Sequence, residues 1–163
     1  MRSVGVVLFG LGNVGTAVVE QLWGMCRCTN GGGTCINCLL YIAARALHES
    51  RFRLRFGFLA LCDSSAAVGS EGAHRFLGDD DVRAAIALKR ARSPLSSHNC
   101  ALCFADEEKK DLARSVVLKY FSNRPLLLVD CTASDATIPA LLHGIQHLSK
   151  VRCSVFALAL GPY

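Results

Sequence analysis

The N-terminal stretch from Val4 to Gly15, with the sequence VGVVLFGLGNVG, constrains the fold most strongly. Its first half is continuously apolar and rich in β-branched residues, which is typical of a buried strand. Glycines follow at Gly10, Gly12 and Gly15, and the next residues, TAVVEQL, have the composition of a helix. A strand, the pattern G-x-G-x-x-G and a helix, in this order, predict a dinucleotide-binding unit.

Each of the three glycines has its own expected role. Gly10 permits the tight turn out of the strand, Gly12 lets the backbone approach a pyrophosphate, and Gly15 lets the helix pack close to the strand. The helix would then direct its unpaired N–H groups and the positive end of its dipole toward the phosphates. The pattern therefore predicts an anion site at the start of the first helix.

The alternative is a glycine-rich turn between a buried strand and a helix, with no ligand. The residues after the turn favour the nucleotide site, because Val14, Val18 and Leu22 recur every four residues. That spacing predicts one apolar helix face packed on the sheet, which is the context that the motif requires.

Composition excludes several functional classes. The chain has 163 residues, 52% of them hydrophobic, so we expect one globular domain over residues 1–163. The net charge of +5 comes without a dense Lys/Arg block, which argues against nucleic-acid or membrane-surface binding. No apolar run reaches the roughly 18 residues that span a bilayer. Because the only apolar N-terminal run is the strand of the motif, we expect a cytoplasmic protein rather than a secreted one.

The nine cysteines are an odd number without a secretory signal, so we expect reduced thiols. Four of them, Cys26, Cys28, Cys35 and Cys38, lie in a Cys/Gly-rich insertion at about residues 24–38. Four thiolates can bind zinc tetrahedrally, which is the functional alternative. The C-x-C spacing is tighter than usual for zinc, so we predict no metal site.

A second strand is predicted from Leu54 to Cys62, followed by Asp63 and Ser64. An acidic residue at this position normally binds the adenosine ribose hydroxyls and favours NAD over NADP. Asp63 lies further along the chain than the usual offset of about 20 residues, and the insertion accounts for the excess. Asp-Ser-Ser is equally good turn chemistry. Both interpretations of Asp63 stay open.

The three acidic residues Asp79 to Asp81 predict the start of a helix that ends near Arg92. Its basic cluster, Lys89, Arg90 and Arg92, lies where a helix dipole stabilises cations. We interpret this cluster as a response to the dipole rather than as a phosphate-binding patch.

Two further buried strands are predicted, at Leu126 to Asp130 and Cys153 to Leu160. The predicted fold is therefore α/β, a Rossmann-like open parallel sheet of about four strands with flanking helices. Because an apolar strand would lie at the edge of this sheet, we expect self-association through that edge.

Two blocks of the sequence, VGVVLFGLGNVG at 4–15 and LVDCTAS at 128–134, resemble the nucleotide-binding domain of homoserine dehydrogenases. The resemblance implies an oxidoreductase of amino-acid biosynthesis that interconverts aspartate semialdehyde and homoserine, with NAD or NADP as cofactor. It implies nicotinamide contacts from Thr132, Ala133 and Ser134, while Asp63 and Ser64 are similar to the family's ribose site. It also implies that the pyrophosphate is held by Gly10, Leu11, Gly12, Asn13, Val14 and Gly15.

The sequence also departs from that family. The family strand that follows this region ends in a segment of the type Thr-Pro-Asn-Lys with an active-site lysine, whereas residues 157–163 read ALALGPY. The family's substrate domain has no counterpart either. We therefore expect no catalytic residue, and a chain that is incomplete relative to a full dehydrogenase and inactive alone.

Three alternatives remain: the nucleotide domain of another amino-acid-linked dehydrogenase, a non-catalytic nucleotide-binding or interaction module, and a metal-binding protein built on the four cysteines.

Overall fold

The computed structural model describes residues 2–23, 46–47, 49–64, 66–70, 75–102, 111–120, 125–133 and 155–159. The strands are β1 (Arg2–Phe9), β2 (Leu54–Cys62), β3 (Ala67–Gly69), β4 (Leu126–Asp130) and β5 (Val155–Ala159). The helices are α1 (Asn13–Trp23), α2 (Asp79–Arg90) and α3 (Leu112–Tyr120), and a short 3₁₀ helix covers Leu95–Ser97.

The strands form one sheet in the order β3-β2-β1-β4-β5. The central strand β1 pairs in parallel with β2 and β4, and β4 pairs in parallel with β5. The three-residue strand β3 is antiparallel to β2. The predicted α/β class is confirmed, with four parallel strands consistent with a Rossmann-like open sheet. The antiparallel β3 was not predicted, because three residues are too few to show a period.

Both faces of the sheet are covered, which explains the continuous apolar character of β1. Val6 and Leu8 point to the face that carries α1 and α2, and Val7 and Phe9 to the face that carries α3. The first face is completed by buried side chains of both helices, including Val19, Trp23, Val82, Ala85 and Ile86. The second face includes Leu59, Leu128, Val116, Val117 and Tyr120.

The prediction that Val14 packs on the sheet is wrong, because this residue is 53% exposed. The buried apolar side chains of this helix are Val19 and Trp23, and Val18 and Leu22 pack only partly against the core. Because α1 begins at Asn13, Val14 lies in the first turn, next to the glycine turn. Spacing alone could not show that this turn extends past the core.

The helix α2 begins as predicted at Asp79, with the Gly78 backbone N–H donating to Asp81 Oδ2 at 3.3 Å. It ends at Arg90 in a Schellman motif, in which Arg92 N–H donates to Lys89 O and Ser93 N–H to Leu88 O. Arg92 therefore has a left-handed backbone, with φ of 56°. This end of α2 lies beside the glycine turn.

Several predictions fall outside the described residues, namely the Cys/Gly-rich insertion at about 24–38, Ser134, and both ends of the last predicted strand, at 153–154 and 160. Within the described ranges, the helices are too short or too polar to cross a membrane.

Candidate nucleotide-binding site

The turn after β1 joins the carboxyl ends of three strands. Gly10 has a φ of 81°, and the N–H groups of Gly10 and Leu11 both donate to Cys62 O, at the end of β2, at 2.9 Å. A Cβ on Gly10 would lie 2.6 Å from backbone atoms of Cys131 and Thr132, just after β4. The left-handed backbone and the close approach both require glycine here.

Gly15 is also required by packing, because a Cβ there would overlap the carbonyl oxygen of Gly10. Gly12 differs from both. A Cβ on Gly12 would meet no atom within 4 Å, and the residue is exposed at the start of α1. The described fold therefore has no steric need for glycine at position 12, and the backbone there is open to an approaching ligand.

A cleft of about 590 Å³ lies beside Gly12. That volume is within the range of small-molecule sites. One side comes from the glycine turn and α1, and the other from the basic end of α2. The lining residues are Leu11, Gly12, Asn13, Thr16, Lys89, Arg90 and Arg92.

The position of the basic cluster extends the sequence interpretation. Lys89, Arg90 and Arg92 do lie at the C-terminal end of α2, as expected from the dipole, but they also line the cleft. The α2 end and the glycine turn come together across this cleft only in the tertiary structure, so nothing in the local sequence indicated their proximity.

Two ion pairs hold the end of α2 in place. Lys89 Nζ lies 3.0 Å from Asp63 Oδ2, and Arg90 pairs with Glu20 of α1. The Glu20 side chain is 8% exposed and that of Arg90 is 47% exposed, so Arg90 places a positive charge against a largely buried carboxylate. Arg92 is exposed and forms no ion pair within the part of the chain that the structure describes.

Asp63 organises the turn after β2. Its Oδ1 accepts the Ala66 N–H at 2.8 Å, and its Oδ2 accepts the Leu95 N–H at 3.4 Å in addition to Lys89. The Asp63 side chain is only 9% exposed. These hydrogen bonds directly support the interpretation of Asp63 as a turn-forming residue. Ribose binding by Asp63 and by the exposed Ser64 stays a prediction, and a ribose hydroxyl would have to share oxygens that already accept several donors.

The segment after β4 lies next to the glycine turn. Cys131 N–H donates to Phe9 O at 2.8 Å. The buried Asp130 accepts both the Thr132 N–H, at 2.9 Å, and the Thr132 hydroxyl, at 2.7 Å. This side chain therefore fixes Thr132 beside the turn, and Ala133 follows in an exposed position. The two blocks that carry the family resemblance thus meet at the carboxyl ends of the neighbouring strands β1 and β4. The positioning role of Asp130 was missed in the sequence.

Two thiols at the carboxyl ends of the strands, those of Cys62 and Cys131, are held in the neutral form. Burial, and then the negative charge of Asp63, raise the pKa of Cys62 far above its usual range. Burial, and then Asp130, raise the pKa of Cys131 to about 11. A neutral thiol is a poor nucleophile and a poor metal ligand. In the described ranges, no cluster of three or more metal-ligating side chains occurs.

No protein-family model matches the chain, and no curated protein is significantly similar to it. The structure shows an α/β fold with a cationic cleft at the glycine turn. The link to homoserine dehydrogenases rests on the two sequence blocks.

Proposed function

We propose that this chain is an NAD(P)-binding domain of a homoserine-dehydrogenase-like oxidoreductase, located in the cytoplasm. The observation that carries the proposal is the contrast between the three glycines. The fold requires Gly10 and Gly15, whereas Gly12 faces the open cleft with no atom near a would-be Cβ. A glycine without a role in packing is what close approach of a pyrophosphate requires.

The residues around Gly12 suit a phosphate. The first turn of α1 carries N–H groups that have no acceptor inside the helix, and the helix dipole adds a partial positive charge there. The cations of the α2 end lie across the cleft. In this proposal, the first turn of α1 binds the pyrophosphate, and the segment of Thr132, Ala133 and Ser134 borders the nicotinamide. A bound dinucleotide would supply hydride-transfer chemistry.

The proposed substrate chemistry is the interconversion of aspartate semialdehyde and homoserine, supported by the DCTAS block at 130–134. The described residues that line the cleft offer cations, an amide and a hydroxyl but no carboxylate or imidazole. We therefore expect cofactor binding by this chain alone without reduction of NAD or NADP by homoserine.

A non-catalytic nucleotide-binding module is the second candidate, favoured by the same set of lining residues. The two candidates differ in one measurable property. If a protein that supplies a substrate domain restores homoserine-dependent reduction of the cofactor, the dehydrogenase proposal stands. If the chain binds nucleotide but no such reconstitution occurs, the module is favoured.

Hydrogen–deuterium exchange tests where the cofactor binds. Saturating NADPH should slow exchange of the amides in residues 12–16 and 131–133. The amides of α3 should exchange as before, because α3 packs on the opposite face of the sheet. Protection confined to any other segment would contradict the proposed site.

A further inference from the structure

We infer that the cleft binds a 2′-phosphate on the adenosine ribose, so that the chain selects NADP(H) over NAD(H). This inference rests on the proposed dinucleotide site and specifies its ligand. It reverses the preference that an acid after β2 would normally indicate.

The position of Lys89 is the first step of the argument. In this type of fold, the adenosine ribose lies at the carboxyl end of β2. Asp63 is the first residue after β2, and Lys89 Nζ is 3.0 Å from its carboxylate. Lys89 is thereby fixed at the ribose end of the cleft, and Arg90 and Arg92 line the same cleft.

The charges of the cleft favour a phosphate over a hydroxyl. Lys89 balances Asp63, and Arg90 balances Glu20. Arg92 adds a positive charge with no ion pair among the described residues. A phosphate monoester carries about −1.5 to −2 charges near pH 7, and a guanidinium can bind it with two parallel hydrogen bonds. The 2′-hydroxyl of NAD offers no such charge.

The backbone at Arg92 supports this assignment independently. Arg92 occupies the left-handed position of the Schellman motif, where glycine is the usual residue. An arginine at this position is not explained by helix termination. The turn places its side chain on the cleft, which gives the residue a function that glycine could not supply.

Calorimetric titration of the full chain tests the inference, with NADP, NAD, adenosine 2′,5′-bisphosphate and AMP as probes. A charge-assisted hydrogen bond contributes enough to change affinity about tenfold to a hundredfold. NADP should therefore bind at least about tenfold more tightly than NAD, and the bisphosphate should bind more tightly than AMP by a similar factor. NAD binding as tightly as NADP would overturn the inference and leave the dinucleotide site intact.

Two variants and a control locate the effect at Arg92. Arg92→Gln should weaken NADP binding about tenfold and change NAD binding less than about twofold. Arg92→Gly should do the same in a backbone that suits glycine better, so that loss of folding cannot account for the result. Arg83→Gln removes an equal charge from an exposed site of α2 outside the cleft lining and should change neither affinity. Equal losses for NADP and NAD in both Arg92 variants would overturn the inference. A folded wild-type chain that binds none of the probes would overturn the proposed function as well.

Discussion

Replacing Gly10 by alanine should destabilise the protein far more than the same change at Gly12. A left-handed backbone costs an L-residue about 1–2 kcal/mol. The new Cβ would also lie 2.6 Å from the backbone of Cys131 and Thr132, so these residues must move, which costs about 1–3 kcal/mol by analogy with overpacked cores. The smaller entropy of the unfolded alanine chain offsets about 0.4–1 kcal/mol. The net loss should be about 1–4.5 kcal/mol, which corresponds to a fall in Tm of about 2–18 °C for a chain of this size.

Chemical denaturation followed by circular dichroism measures this loss. Gly12→Ala is the matched control, because its Cβ meets no atom within 4 Å and its backbone does not have a positive φ in the left-handed range. The control should differ from wild type by less than about 1 kcal/mol. Similar losses for both variants would refute the distinction between the turn glycine and the ligand-facing glycine, and with it the main support for the site.

Three further predictions concern the rest of the fold. Tyr120→Phe removes a buried hydrogen bond of 2.7 Å to Ser70 O and should lower the free energy of unfolding by about 1–1.5 kcal/mol. The control Leu118→Ala, on the exposed side of α3, should change this free energy by less than about 0.5 kcal/mol. Equal effects of the two substitutions would contradict the packing of α3. Burial, and then Asp63, raise the pKa of Cys62, so the folded thiol keeps its proton above the unfolded pKa of about 8.5. Above that pH the unfolding free energy should fall about 1.4 kcal/mol per pH unit more steeply in wild type than in Cys62→Ala, and parallel slopes in denaturation titrations would exclude a buried neutral thiol. Because β5 is an end strand of the described sheet, we expect concentration-dependent self-association in sedimentation, and a monomer at high concentration would contradict it.

Local patterns predicted the parallel strands well. The predicted bounds of Leu54 to Cys62 and Leu126 to Asp130 coincide with β2 and β4, because strands that are buried over most of their length are predominantly apolar. The family resemblance assigned the glycine turn and the segment after β4 to one cofactor, and in the structure Gly10 lies directly against Cys131 and Thr132.

Tertiary contacts account for what the sequence did not reveal. The pairing of Lys89 with Asp63, and of Arg90 with Glu20, depends on how α2 packs beside α1. The helix dipole alone was enough to explain the basic residues at the end of α2, so the cleft that these residues line was not predicted. Val14 was assigned to the core because its spacing is helical, although the first turn of α1 extends beyond the buried contacts.

Calorimetric titration of wild type and Gly12→Asp with NADP tests the central claim most directly. The account predicts one dinucleotide per folded chain. It also predicts loss of binding in the variant, whose carboxylate would enter the cleft without disturbing the fold, because no atom lies within 4 Å of the new Cβ. Circular dichroism should show both proteins folded to the same extent. A folded wild type that binds no dinucleotide, or a Gly12→Asp variant that binds NADP as tightly as wild type, would contradict the claim.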